Sequence, residues 1–71
     1  MDYITYFIKQ NNRKSNKEIL DLYLETLDMD KPGEYGLANA MKIGIFYIVK
    51  SRSKDFQTRF NVLKQIMEGG K

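Results

Sequence analysis

The chain of 71 residues contains no cysteine and no histidine. The first absence rules out disulfides and thiolate ligands. The second removes the commonest metal ligand and the usual general base near neutral pH. A Ser-His-Asp arrangement is therefore impossible, and a cation site would have only carboxylates and carbonyls to draw on. Tryptophan is absent and Pro32 is the one proline. No apolar run approaches the ~20 residues that a membrane span needs, and the run over residues 3–8 is too short for a secretory signal. These absences point to a soluble, cytoplasmic protein with no membrane contact, no cofactor and no small-molecule substrate.

What is present describes one small globular domain over residues 1–71. Hydrophobic residues make up 42% of the chain and charged residues 30%, a balance typical of folded rather than disordered chains. A chain of this length buries only about 60% of its unfolded surface, so its core is small.

Three stretches carry helical periodicity. Asp2 precedes Tyr3, Ile4, Phe7 and Ile8, the spacing of a short amphipathic helix, which ends in the polar turn QNNRKSN. Ser15 lies three residues before Glu18, a capping-box signature. The helix it opens places Ile19, Leu20, Tyr23, Leu24 and Leu27 on one face and extends to about residue 27 or 29. DMDKPGEYG is the clearest break, punctuated by Pro32 and Gly33. Beyond residue 51, Ser51 and Ser53 are candidate N-caps. Phe56, Phe60, Leu63 and Met67 repeat as one stripe, and Gly69 and Gly70 stand where C′ glycines close helices.

Between these lies GLANAMKIGIFYIVKS, residues 36–51, the least polar stretch. As a strand it would put Ile43, Ile45, Tyr47 and Val49 on one face and would have to pair with residues 3–8. Such a two-stranded ribbon, giving an α+β fold, is marginal in water. As a helix over residues 35–50 it aligns Leu37, Met41, Ile45 and Ile48, with Ala38 and Gly44 beside them. Gly44 costs about 1 kcal/mol relative to alanine there. The expected fold is all-α, a compact single-domain bundle of about four short helices with this one at its centre.

Tyr35, Asn39, Lys42, Phe46 and Lys50 share the only sector of that helix with polar side chains, so this sector is expected to face water and a partner. Leu22 and Met29 point away from the second helix's apolar face, among acids, and join the candidate contact residues. Exposed apolar side chains rimmed by charge are the usual mark of a protein–protein surface.

No catalytic constellation is present, and an enzyme is not expected. Asp28 and Asp30 flank a turn, where solvation is their ordinary role. DMDKPGEYG lacks EF-hand spacing, and the glycines at 33, 36 and 44 match no phosphate loop. No metal site is expected.

Charge is unevenly laid out. Residues 9–17 carry +4, residues 18–34 carry −5 and residues 42–64 carry +5. In so small a chain much of this is expected to pair internally. If it does not, Lys9, Arg13, Lys14, Lys17, Arg52 and Lys54 are the candidate nucleic-acid contacts, consistent with a pI near 9.2. Against a helix-turn-helix stands the long acidic break after residue 27. On the fourth helix, Lys54, Arg59 and Lys64 point in three directions, with Arg59 placed to pair with an acid of the second helix. The composition, rich in Lys, Asn, Ile and Tyr, resembles that of AT-rich bacterial or phage coding sequence. The leading expectation is a non-catalytic interaction protein, an adaptor or inhibitor of a host protein or a homodimer. The alternative is a small basic DNA- or RNA-binding regulator.

Overall fold

In the structure, a computed structural model that describes residues 2–29 and 35–69, local capping chemistry sets the helix starts. Asp2 Oδ1 accepts the Thr5 N–H at 2.7 Å and opens α1, Tyr3–Asn11. Ser15 Oγ accepts the Glu18 N–H at 3.2 Å, while Glu18 Oε1 accepts the Ser15 N–H at 3.1 Å. This reciprocal box opens α2, Asn16–Asp28. The third helix, α3, spans Tyr35–Lys50 and the fourth, α4, spans Lys54–Gly69. Of the two candidate caps for α4, Ser53 takes the role by accepting the Phe56 N–H. Ser51 instead donates its hydroxyl to the Ile48 carbonyl at 2.6 Å and closes α3.

The fold is all-α. Residues 3–8 and 43–49 both lie inside helices, and no strand occurs among the described residues, so the α+β alternative falls. The acidic break falls largely on residues 30–34, outside the described residues. Gly69 is the last helical residue of α4 rather than a C′ residue, and Gly70 lies outside the described residues.

The helix most apolar in sequence is the hub, with α1, α2 and α4 all packing on α3. The Cα atoms fill a slab of 35 × 34 × 15 Å. Two helix layers with axes about 8–10 Å apart have that thickness once the backbone cylinder of about 2.3 Å radius is added. The core consists of Phe7, Ile19, Tyr23, Met41, Ile45, Ile48, Val49, Phe56 and Phe60. Gly44 is where α1 lands: a Cβ there would stand 2.6 Å from Phe7 Cδ1. Its missing side chain admits the Phe7 ring.

Two buried polar residues sit among these apolar ones. Thr26 is fully buried, its hydroxyl donating to the Tyr23 carbonyl, and Asn11 donates its amide to the Phe7 carbonyl at 2.8 Å. Each side chain satisfies itself on its own helix, which removes most of the cost of burying it. Of the Ile19–Leu20–Tyr23–Leu24–Leu27 face expected of α2, Ile19 and Tyr23 are buried and Leu20 and Leu27 pack against the core, but the buried arc is shifted toward Thr26. Leu24 emerges into solvent, while Leu22 and Met29 swing inward against the core.

Candidate functional site

The same rotation recurs on α3 and changes which side chains reach water. Asn39 and Lys50 are exposed, as the polar-sector reading expects, but Lys42 and Phe46 are only partly so. The Phe46 ring packs edge-on to Phe60 with centroids 5.9 Å apart and lies 6.3 Å from Tyr23. Lys64 Nζ stands over its face, 5.3 Å from the centroid. Phe46 is thus engaged by α2 and α4, not free for a partner or a stacked base. Tyr35 opens α3, and its side chain lies outside the described residues.

The sector that faces solvent is about a sixth of a turn away and shares Asn39 and Lys50 with the expected one. It comprises Gly36, Asn39, Ile43, Tyr47 and Lys50. Ile43 is 42% and Tyr47 61% exposed, and residues 36, 39, 43 and 47 bear no charge over three turns. A second unpartnered pair lies on α4, where Val62 is 53% and Ile66 63% exposed. The polar-sector argument missed Ile43 and Tyr47 because it assigned water to the lysines. The available signal was Phe46: an aromatic flanked by the aromatic faces of two neighbouring helices belongs inside, and the lysines snorkel past it.

Phe46 and Lys50 line one wall of an open groove of about 260 Å³, with Gln57, Asn61 and Lys64 opposite. At its rim Tyr23 donates its hydroxyl to Glu68 Oε2 at 2.6 Å, and Glu68 also pairs with Lys64 at 3.8 Å. Burial, reinforced by the Glu68 carboxylate, pushes the Tyr23 phenol well above its usual range. The phenol is a fixed donor that ties α2 to the last turn of α4. It is not an acid or base for chemistry.

The basic candidates are drawn together by one side chain. Arg52, in the α3–α4 turn, donates from Nη1 to Asn16 Oδ1 at 2.8 Å. Its Nη2 donates to the carbonyls of Asn12 and Lys14, at 2.9 and 2.8 Å. This fork staples the α1–α2 turn to the α3–α4 turn, so Arg13, Lys14 and Lys17 share one end of the molecule with Lys54. Arg52 itself is committed to that structural role. Lys14 leans toward the Glu18 carboxyl. Hydrogen bonds from Ser15 hold that carboxyl below its ordinary range, with a smaller contribution from the Lys14 charge. Lys9 is exposed in the last turn of α1.

Among the described residues the expected pairing between acidic and basic segments is not found. Lys64–Glu68 is the one ion pair among the described residues. Arg59 is exposed and pairs with no acid of α2; it lines an open groove of about 420 Å³ with Asn16, Lys17, Leu20, Ser53, Asp55 and Phe56. The acids of α2 lie along its solvent side, where hydration serves them as well as a lysine would.

Among the described residues no group of three acidic side chains is placed to hold a metal ion, and every buried side-chain polar atom has a hydrogen-bond partner. No described helix is long and apolar enough to cross a membrane. Compared with protein-family models, with curated proteins and with solved structures, the chain matches none of them.

Proposed function

We propose that this chain is a non-catalytic protein-interaction module that works by laying the outer stripe of α3 against another polypeptide, in the first instance a second copy of itself. The observation that carries this is the exposure of Ile43 and Tyr47, one turn apart, on the helix against which the other three pack. Fully burying an apolar side chain contributes roughly 1.5–3 kcal/mol, and with Ile43 and Tyr47 partly exposed about half of that is still to be gained at each, a sizeable term for so small a domain. A second copy suits the stripe because residues 36, 39, 43 and 47 bear no charge, and in an antiparallel twofold pairing Lys50 at one end of each stripe would lie opposite the uncharged Gly36 end of the other. Contact through one helix face falls short of the ~800 Å² per partner of a standard interface, so the dimer is a weak one. Adaptor and inhibitor roles follow if a foreign helix competes for the same stripe.

The test is static light scattering across a concentration series for the parent and for the Ile43→Asp, Tyr47→Asp double variant. The parent should rise above the 8.4 kDa monomer mass as concentration increases. The variant should stay at it with an unchanged melting temperature. A parent that stays monomeric throughout contradicts the self-association reading.

A further inference from the structure

The basic end of the molecule is a site separate from the α3 stripe, and we infer that it binds the phosphate backbone of nucleic acid, duplex in preference to single strand. Three observations converge there. The Arg52 fork fixes the two turns side by side, so cations from sequence segments nearly forty residues apart form one surface. The groove between the starts of α2 and α4 carries Lys17 on one wall and Arg59 on the other, with Arg13 in the α1–α2 turn and Lys54 at the first position of α4. None of these four makes an ion pair with a described acid, and Asp55 is the only carboxylate lining the groove. The cations remain available to an outside anion.

The surrounding chemistry narrows the class of anion. Residues 12–17 and 50–55 contain no apolar side chain, so nothing there inserts into a lipid surface in the way interfacial helices do. Asparagine and serine interleave with lysine and arginine, the side-chain set that contacts phosphate and sugar. Asn16, exposed beside them, gives its side-chain oxygen to Arg52. Helix dipoles contribute little net field, because two helix starts (α2, α4) and two helix ends (α1, α3) meet at this pole. Side-chain charge therefore carries the attraction. The one aromatic at the groove, Phe56, is buried, so no ring is offered for stacking an unpaired base. Such a site recognises backbone charge density rather than sequence, and duplex presents more of it.

The experiment is fluorescence anisotropy of the full chain with a short mixed-sequence duplex and with its separated strand, at about 50 and about 200 mM salt. Engaging three to four phosphates gives a log–log salt slope of about −3, so duplex affinity should fall about 60-fold between those conditions. Arg13→Gln, Lys17→Gln and Arg59→Gln should each lower the slope by about 0.9 alone, and by about 2.7 when combined. Because all three side chains are exposed, the melt is expected to hold. Should the combined variant unfold, the single variants supply the slopes. Absence of binding at the lower salt overturns the inference, and so does parental affinity in the folded combined variant. Equal affinity for polyglutamate or for phosphatidylserine vesicles also overturns it, assigning the pole to acidic protein or to membrane. Ile43→Asp, Tyr47→Asp should bind duplex as the parent does, so this site and the α3 stripe stand or fall separately.

Discussion

Replacing Gly44 by alanine sets two terms of known sign against each other. Alanine is the better helix former by about 1 kcal/mol, so an exposed glycine at mid-helix would gain stability from the change. At Gly44 the new Cβ would lie 2.6 Å from Phe7 Cδ1, 3.3 Å from Cε1 and 3.4 Å from Cγ, where carbon pairs prefer about 3.5–4.0 Å. The obstacle is a ring held in the core, not the loose end of a side chain, so α1 must shift. A nine-residue helix has little stability of its own and loses packing as it moves. Overpacking of this kind costs about 1–3 kcal/mol, which leaves a net loss of up to about 2 kcal/mol after the propensity gain. In a domain of this size that lowers the melting temperature by up to roughly 15 °C. Thermal melts and urea titrations followed by circular dichroism measure it. The Phe7→Leu background supplies the control: a smaller side chain should relieve the clash, giving a coupling energy of at least about 1 kcal/mol in the double-mutant cycle. A Gly44→Ala protein more stable than the parent, or strictly additive effects, would refute the seating of Phe7 on Gly44.

Phe46→Ala should destabilise the isolated monomer by about 2–3 kcal/mol, below the 3–5 kcal/mol of a fully buried Phe because its ring is partly exposed, whereas Tyr47→Ala should stay within about 0.5 kcal/mol. The reverse order in urea titration would put the water-facing sector of α3 back on Phe46. Arg52→Lys keeps the charge but loses the planar fork, so it should cost about 1–2 kcal/mol and speed amide exchange through residues 12–17. Exchange that stays at the parental rate would mean that the two turns are held together by something other than Arg52.

Helix positions were legible in the sequence because they rest on local chemistry. Asp2, Ser15 with Glu18, and Ser53 cap helices by bonds that reach only three residues, and periodicity supplies the rest. The assignment of residues 35–50 to helix followed because the one candidate strand partner, residues 3–8, would give only a two-stranded ribbon. Which face of each helix turns inward was less legible, for a specific reason. Apolar periodicity assumes that polar side chains face water, and Thr26 and Asn11 break that rule by bonding to their own helix carbonyls. Lys42 breaks it in another way, lying partly covered beside Phe46. On α2 and α3 the buried arcs shift from the apolar stripes, with Leu22, Met29 and Phe46 inward and Leu24, Ile43 and Tyr47 outward. The gathering of the basic residues was not legible either. It depends on Arg52 reaching across from residue 52 to residues 12–16, a contact that no spacing rule encodes.

The central claim is that the outer stripe of α3 is the protein's contact surface, and residue-resolved amide NMR over a dilution series tests it most directly. The account predicts concentration-dependent shifts centred on residues 36, 39, 43 and 47, absent in the Ile43→Asp, Tyr47→Asp variant. Spectra that do not change with concentration would contradict it, as would shifts centred on the Phe46–Lys64 groove or on Val62 and Ile66.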